Sequence, residues 1–184
     1  FYSLWLDESL TYSSAVFNNH PQDKQVSLFE AQKFKIDRAL DFLGPIRENA
    51  SVCEIGFGWG SLAQRVYSET QYKYHGITLS AKQLEYVKEK FLYSNNSNRL
   101  KFELKDYRLL NDKYDGIVSI EMFEAVGEKY WDEYFSMIAR CLKKTSKAVI
   151  QTILIKDDKF EKYRKGVDFI QMYIFPGGML PTRN

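Results

Sequence analysis

The stretch that most constrains this chain is Val52-Cys53-Glu54-Ile55-Gly56-Phe57-Gly58-Trp59-Gly60, a short apolar run that breaks into glycines at alternate positions. An apolar run, a glycine-rich turn and then the helix-compatible Ser61-Leu62-Ala63 read as a strand–turn–helix unit of an α/β sheet. Glycine strips the turn of side chains and tolerates positive φ, so a ligand can lie against backbone N–H groups at the helix start. Glu54 ends the strand and is placed to look into the crevice beyond the sheet edge, where open α/β sheets bind ligands. The spacing E-x-G-x-G-x-G differs from the dinucleotide fingerprint G-x-G-x-x-G, whose third glycine falls one residue later. Taken alone, the same residues also fit a glycine-rich turn with no ligand.

The rest of the chain falls into the same alternation. Ser27-Leu28-Phe29-Glu30 is a capping box opening a helix whose apolar face uses Phe29, Ile36, Ala39, Leu40 and Leu43, and Gly44-Pro45 stops it. Strand one covers about 51–55, and the helix after the glycines runs to about Glu69. Lys73 to Thr78 is a second strand; Ser80-Ala81-Lys82-Gln83, another capping box, opens a helix with Leu84, Val87 and Phe91 inward. A turn cluster, Asn95 to Asn98, precedes a third strand, Leu100 to Leu104, and Tyr114 to Ile120 is a fourth. A helix from about Tyr130 sets Trp131, Tyr134, Phe135, Ile138, Cys141 and Leu142 on one side, and Lys147 to Ile155 is a fifth strand. Strands alternating with helices through short links predict a doubly wound, mostly parallel sheet covered on both faces. The chain reads as one domain, with 1–26 covering the site as a short helix and loop, 27–155 as the core, and 156–184 opening a substrate-side segment.

A length of 184 residues suits one well-buried domain, and a formal net charge of +2 sets up no strong field toward nucleic acid. Cys53 and Cys141 sit at apolar positions as small core residues, with no disulfide framework or metal-ligand spacing. No apolar run is long enough to cross a bilayer and no signal peptide is visible, which points to the cytoplasm, with contact at the inner membrane surface open. A start at Phe1-Tyr2-Ser3 without methionine is expected of a fragment. Aromatic residues make up 16% of the chain, and many lie in loop-like stretches (Phe1, Tyr2, Trp5, Tyr12, Phe17, Trp59, Tyr173, Phe175), where they could wall an apolar cavity. The charged stretch Lys156 to Lys165 reads as a solvated helix face.

In a parallel sheet all carboxyl ends face one side, so Glu54, Thr78, Asp106-Tyr107 and Glu121 to Glu124 must converge. A nucleoside ligand needs this mixture: backbone amides, a polar residue for ribose, an acid such as Asp106 for an exocyclic amine, and a ring such as Tyr107 for the base. Singly, Asp106 fits a turn cap better. The second strand ends in neutral Thr78, with Gln83 close behind, where many nucleotide-binding sheets carry an acid.

The glycine motif resembles the first motif of S-adenosylmethionine-dependent methyltransferases. Five segments together are similar to the cyclopropane-fatty-acid synthase family, which includes mycolic-acid cyclopropane synthases: Thr11 to Phe17, Glu54 to Gly60, Gly76 to Gln83, Ile117 to Gly127, and Asp168 to Met179. The resemblance implies a class I methyltransferase fold holding S-adenosylmethionine at Tyr12 and Ser13, at the Glu54, Gly56, Gly58, Trp59 and Gly60 turn, at Thr78, Leu79, Ser80 and Gln83, and at Asp106, Tyr107 and Arg108. It implies methyl transfer to the double bond of an unsaturated acyl chain, usually on a membrane phospholipid. An alkene cannot be activated by removing a proton, so alignment with the donor methyl and exclusion of water are what the protein must supply. The family removes the last proton with a bound bicarbonate, held in part by the residue matching Glu124, with Ser14, Gln151 and Ile153 lining the same place.

Two positions depart from the family. Ser14 stands for its usual cysteine and Gln151 for its usual histidine; glutamine donates a hydrogen bond but cannot move a proton. A plain methylated chain is therefore an alternative product to a cyclopropane. His20 and His75 are not placed to replace the histidine and read as surface or structural residues. Methyltransferase sheets of this type have seven strands, so two C-terminal strands and a tyrosine of the ion site are expected beyond Asn184. The isolated 184-residue piece should be poorly active, with strand five an apolar edge (Val149, Ile150, Ile153, Ile155). Two other readings stand beside this one: a methyltransferase for another small apolar substrate, and a non-catalytic cofactor-binding module.

Overall fold

The computed structural model describes residues 2–17, 26–92 and 97–183. His20, Asn95 and Asn96 lie outside the described residues. Five strands form one sheet: β1 (Ser51–Ile55), β2 (Lys73–Thr78), β3 (Leu100–Leu104), β4 (Tyr114–Ile120) and β5 (Leu142–Gln151). Their order is β3-β2-β1-β4-β5 and all four pairings are parallel, as the alternating pattern predicts. The order reverses at β1, where the chain leaves toward β2 on one side and β4 flanks the other.

Helices α1 (Leu28–Leu43), α2 (Ser61–Glu69) and α3 (Ala81–Phe91) pack on one face. Ile36, Leu43, Leu62, Val66, Val87 and Phe91 meet Val52, Tyr74 and Val118 of the strands there. The opposite face is covered by α4 (Trp131–Cys141), whose Tyr134, Met137, Ile138 and Cys141 meet Cys53, Ile55, Ile77 and Ile117. Cys53 and Cys141 are free and fully buried, as small core residues. His75 is structural: its ring bridges the Tyr114 hydroxyl (2.6 Å) and Glu103 (2.7 Å), and burial holds it below the usual imidazole range.

Local chemistry explains the helix ends. Ser27 and Glu30 form the reciprocal capping box on α1, and Gly44, at φ 78°, closes it. At α3 only half of the second box is made. Ser80 Oγ accepts from the Gln83 N–H at 3.3 Å, but the Gln83 side chain turns to Thr78 and Tyr12 instead of back to the cap. Gly60 caps α2 at φ 83°.

Three expectations are corrected. Phe29 is exposed on α1, and Phe135 on α4; Gln32 and Lys35 take inward positions on α1, and Met137 does so on α4. The fifth strand starts five residues earlier than predicted and ends at Gln151, because α4 stops at Cys141 and Leu142 is already extended. Beyond Gln151 the backbone N–H groups are used elsewhere: Ile153 donates to the Glu124 carboxylate and Ile155 to the Pro181 carbonyl. β5 is one edge of the sheet, yet Val149 and Ile150 are half-buried against the two cores. The charged stretch forms α5 (Asp157–Arg164), which buries none of its residues, and Ile170–Ile174 follows as one π-helical turn.

A methyl group built on Gly60 would lie 2.9 Å from Val87 Cγ1, at a positive φ that L-residues avoid. Gly60→Ala should lower unfolding free energy by about 2 kcal/mol. Urea denaturation checks it: a lower midpoint with unchanged slope is expected.

Candidate active site

A cavity of about 540 Å³ opens above the carboxyl ends of β1 and β4. Its floor is the glycine turn. Gly56 and Gly58 adopt φ 81° and φ 54°, and their missing side chains matter: a Cβ would meet Met122 Cγ at 2.8 Å and the Tyr12 ring at 3.2 Å. The turn is held by Gly56 N–H donating to the Ile77 carbonyl at 3.0 Å. Trp59 Nε1 is buried with no partner.

The N-terminal segment roofs the cavity and is fastened by polar bonds. Thr11 Oγ1 meets Ser61 Oγ at 2.6 Å, and Ser61 Oγ donates to the Ser9 carbonyl at 3.0 Å. Gln32 Nε2 donates to the Ser13 carbonyl at 2.7 Å, and Lys35 Nζ to Ser13 Oγ. Tyr2 stacks on Tyr12 (centroids 5.5 Å apart) and tilts against Trp59 (5.8 Å). Of the loop aromatics singled out in the sequence, Tyr12, Trp59 and Phe175 line the cavity; Phe17 and Tyr173 are exposed outside its lining.

Glu54 is 4% exposed and its Oε2 accepts a hydrogen bond from the Tyr74 hydroxyl. Burial pushes its carboxyl up to about 8, against the pull of Tyr74 and Lys35. Burial likewise draws Lys35 down to about 8, opposed by Glu121, Glu54 and Asp7. The sequence reading missed Gln32 and Lys35. Their signal is present: both share the buried stripe of α1 with Ile36, Ala39 and Leu43, where a polar residue needs a partner.

The predicted residues divide by place. Tyr12, Ser13, Glu54, Gly56, Gly58 and Trp59 line the cavity, as do Glu124 and Ile153. Gly60 lies behind the turn as the α2 cap. Thr78 and Gln83 join it through Tyr12: Thr78 Oγ1 donates to Gln83 Oε1 at 2.7 Å, and Gln83 Nε2 to the Tyr12 hydroxyl at 3.2 Å. Ser80 caps α3 and Leu79 is exposed beside it. Asp106, Tyr107 and Arg108 stand at the neighbouring strand end, outside this lining. The Asp106 carboxylate caps its turn through the Arg108 N–H (2.9 Å) and pairs with that guanidinium (2.6 Å), which holds it below the usual carboxylate range.

Glu124 has one oxygen on the Ile153 N–H at 2.5 Å and the other buried with no partner. Its carbonyl accepts from the Met179 N–H at 2.7 Å, which draws the glycine-rich C-terminal stretch onto the cavity. Ser14 and Gln151 meet elsewhere, on Glu121. That residue, marked in the sequence only as a strand end, takes φ 48° and lines the same cavity.

The family model described as mycolic acid cyclopropane synthetase matches residues 1–184. The chain belongs to that family. Two curated relatives of this family member are 35% identical. Tuberculostearic acid methyltransferase UfaA1 of Mycobacterium tuberculosis aligns over 98% of this chain and 43% of its own length. Cyclopropane-fatty-acyl-phospholipid synthase of Escherichia coli K12 aligns over 98% and 44%. The chain thus spans less than half of either relative. The structure of mycolic acid cyclopropane synthase CmaA1 complexed with SAH and CTAB superposes with a TM-score of 0.83 at 30% identity, over 98% of this chain and 65% of that one. The fold is that of class I methyltransferases. No helix among the described residues is long and apolar enough to cross a membrane.

The raised Glu54 carboxyl fixes a pH dependence. Its folded pKa exceeds the unfolded value, so the cost of ionising it in place grows as pH rises from 4.5 to about 8. Lys35 is depressed, so its cost is complete below about 8 and lifts toward 10.5. Relative to Glu54→Gln, the native chain should lose ~2 kcal/mol or more between about pH 5 and about pH 8. Urea unfolding of both proteins across that window checks this; parallel profiles would contradict it.

Proposed function

We propose that this chain forms the cofactor- and acyl-binding part of an S-adenosylmethionine-dependent C-methyltransferase acting on the double bond of an unsaturated fatty acyl chain. The observation that carries the reading is one cavity in which a turn bare of side chains at Gly56 and Gly58, aromatic rings and an unpartnered Glu124 oxygen meet. The residues fit the cofactor. Gly56 and Gly58 leave backbone bare where a Cβ would clash, Trp59 Nε1 is an orphan donor, and Glu54 is an acceptor at the strand end. Glu54, the turn, Tyr12, Ser13 and the Thr78–Gln83 pair would hold it, with Asp106 to Arg108 at the adjoining strand end. When bound, S-adenosylmethionine supplies an electrophilic methyl that an alkene can attack without prior deprotonation.

The chain's own residues do the rest. Tyr12, Trp59 and Phe175 wall the cavity, keep water from the site and offer ring faces to developing positive charge. Ile153 N–H fixes one Glu124 oxygen, which leaves the other facing that charge in a dry setting where it counts most. The relatives support an acyl substrate: UfaA1 is named for tuberculostearic acid and the Escherichia coli protein for phospholipid. Phe169 and Tyr173 are each 67% exposed beside the cavity-lining Ile170 and Phe175. They give the protein a greasy contact through which an acyl chain is taken from the inner membrane surface.

The test uses the intact gene product, vesicles of unsaturated phospholipid and methyl-labelled cofactor. Label in the acyl chain, gained at the double bond, is expected; label elsewhere or none would overturn the reading. Mass spectrometry of the released fatty acids separates ring from methyl branch. Glu124→Gln should cut turnover by ~100-fold or more, while cofactor binding by calorimetry changes by less than about threefold.

A further inference from the structure

The positions that the family resemblance assigns to bicarbonate are not open in this structure. Glu121 Oε1 accepts from the Ser14 N–H at 2.9 Å, from the Ser14 hydroxyl, and from Gln151 Nε2 at 2.9 Å. Gln151 Nε2 also reaches Ser14 Oγ at 3.2 Å, and the Ile153 N–H is held by Glu124. The three donors of this chain expected to face the ion, Ser14, Gln151 and the Ile153 N–H, therefore already face a carboxylate of the chain. A further anion would find no open donor among these three and a second carboxylate, Glu121, already in its place beside Glu124, so bicarbonate does not fit them.

Ser14 and Gln151, the two departures from the family, are the two side chains that hold Glu121. Both are neutral donors, the chemistry an ionised carboxylate needs. The backbone is arranged for it too. Glu121 N–H donates to the Gln151 carbonyl at 2.8 Å, and the residue sits at φ 48°, a strained conformation for a side chain that is not glycine. All three side-chain bonds fall on Oε1 and, among the described residues, none falls on Oε2. Glu121 shares the cavity with Glu124, Lys35 and the glycine turn.

We propose that Glu121 is a catalytic residue whose carboxylate takes the place of a bound bicarbonate and removes the last proton. The step rests on the methyl-transfer reading above. The alkene π pair forms the new carbon–carbon bond to the methyl, the methyl–sulfur bond breaks with its electrons staying on sulfur, and the acyl chain is left as a carbocation. Glu121 then takes a proton from the transferred methyl; that C–H pair closes the ring, and a neutral product and a neutral carboxylic acid remain. Anion and cation cancel, so no outside base is required.

The test has two arms on the intact protein. In the first, [13C]bicarbonate is titrated and its NMR line followed. The native protein should leave the line unchanged, and Glu121→Gly, which suits the positive φ and vacates the donors, should broaden it. Binding by the native protein, or by neither, overturns the proposal. In the second, turnover on dioleoyl-phosphatidylglycerol vesicles is measured in carbonate-free buffer and with added bicarbonate. The native rate should agree within about twofold between the two, and Glu121→Gln should lose ~100-fold or more in kcat with cofactor binding kept. A native rate that collapses without bicarbonate, or an unimpaired Glu121→Gln, overturns it. If the native protein methylates no lipid, the methyl-transfer reading fails by itself, and the titration still decides whether Glu121 excludes the ion.

Discussion

Parallel pairing puts every carboxyl strand end on one edge, and a sheet that reverses its order at β1 must part its loops there. The cavity that holds Glu54, Glu121 and Glu124 occupies the opening that results. The glycine turn leaves β1 on one side of it, and Glu121 to Glu124 leave β4 on the other. Side chains cannot close the gap from below, because the turn carries none where it passes Tyr12 and Met122. The hollow is thus a product of topology and of missing Cβ atoms together.

Buried charge sets the character of this hollow. Glu54 and Lys35 are each drawn toward neutrality by burial, and each moderates the other. Glu121 solves the same problem differently, with local donors and a strained backbone that costs about 1 kcal/mol. Such a cost persists only where neighbouring bonds over-determine the conformation, and Ser14 and Gln151 supply them.

The sheet was readable because periodicity and caps agree: strands one to four and the first three helices fall where apolar spacing puts them. The fifth strand was misplaced because its end is decided by distant acceptors, the Glu124 carboxylate and the Pro181 carbonyl, which no local pattern announces. The glycines and Glu54 were legible through their spacing, and Glu124 through the family resemblance of the segment Ile117 to Gly127. Glu121 was not, since its meaning depends on two residues more than a hundred and about thirty positions away, and on a φ that the chain order hides. Gln83 shows the same limit. Its spacing from Ser80 reads as a helix cap, yet the fold spends its amide on Tyr12.

The roof over the hollow is joined to the walls through hydroxyls and amides, with Ser9, Thr11, Ser13 and Ser14 as its fastenings. Bonds of this kind hold about 1 kcal/mol apiece, well below what a packed core demands to open. That makes the N-terminal strap easier to lift than the packed faces of the sheet. Gln83 ties that strap, through Tyr12, to Thr78 at the end of β2, so whatever moves Tyr12 is felt at the sheet edge as well.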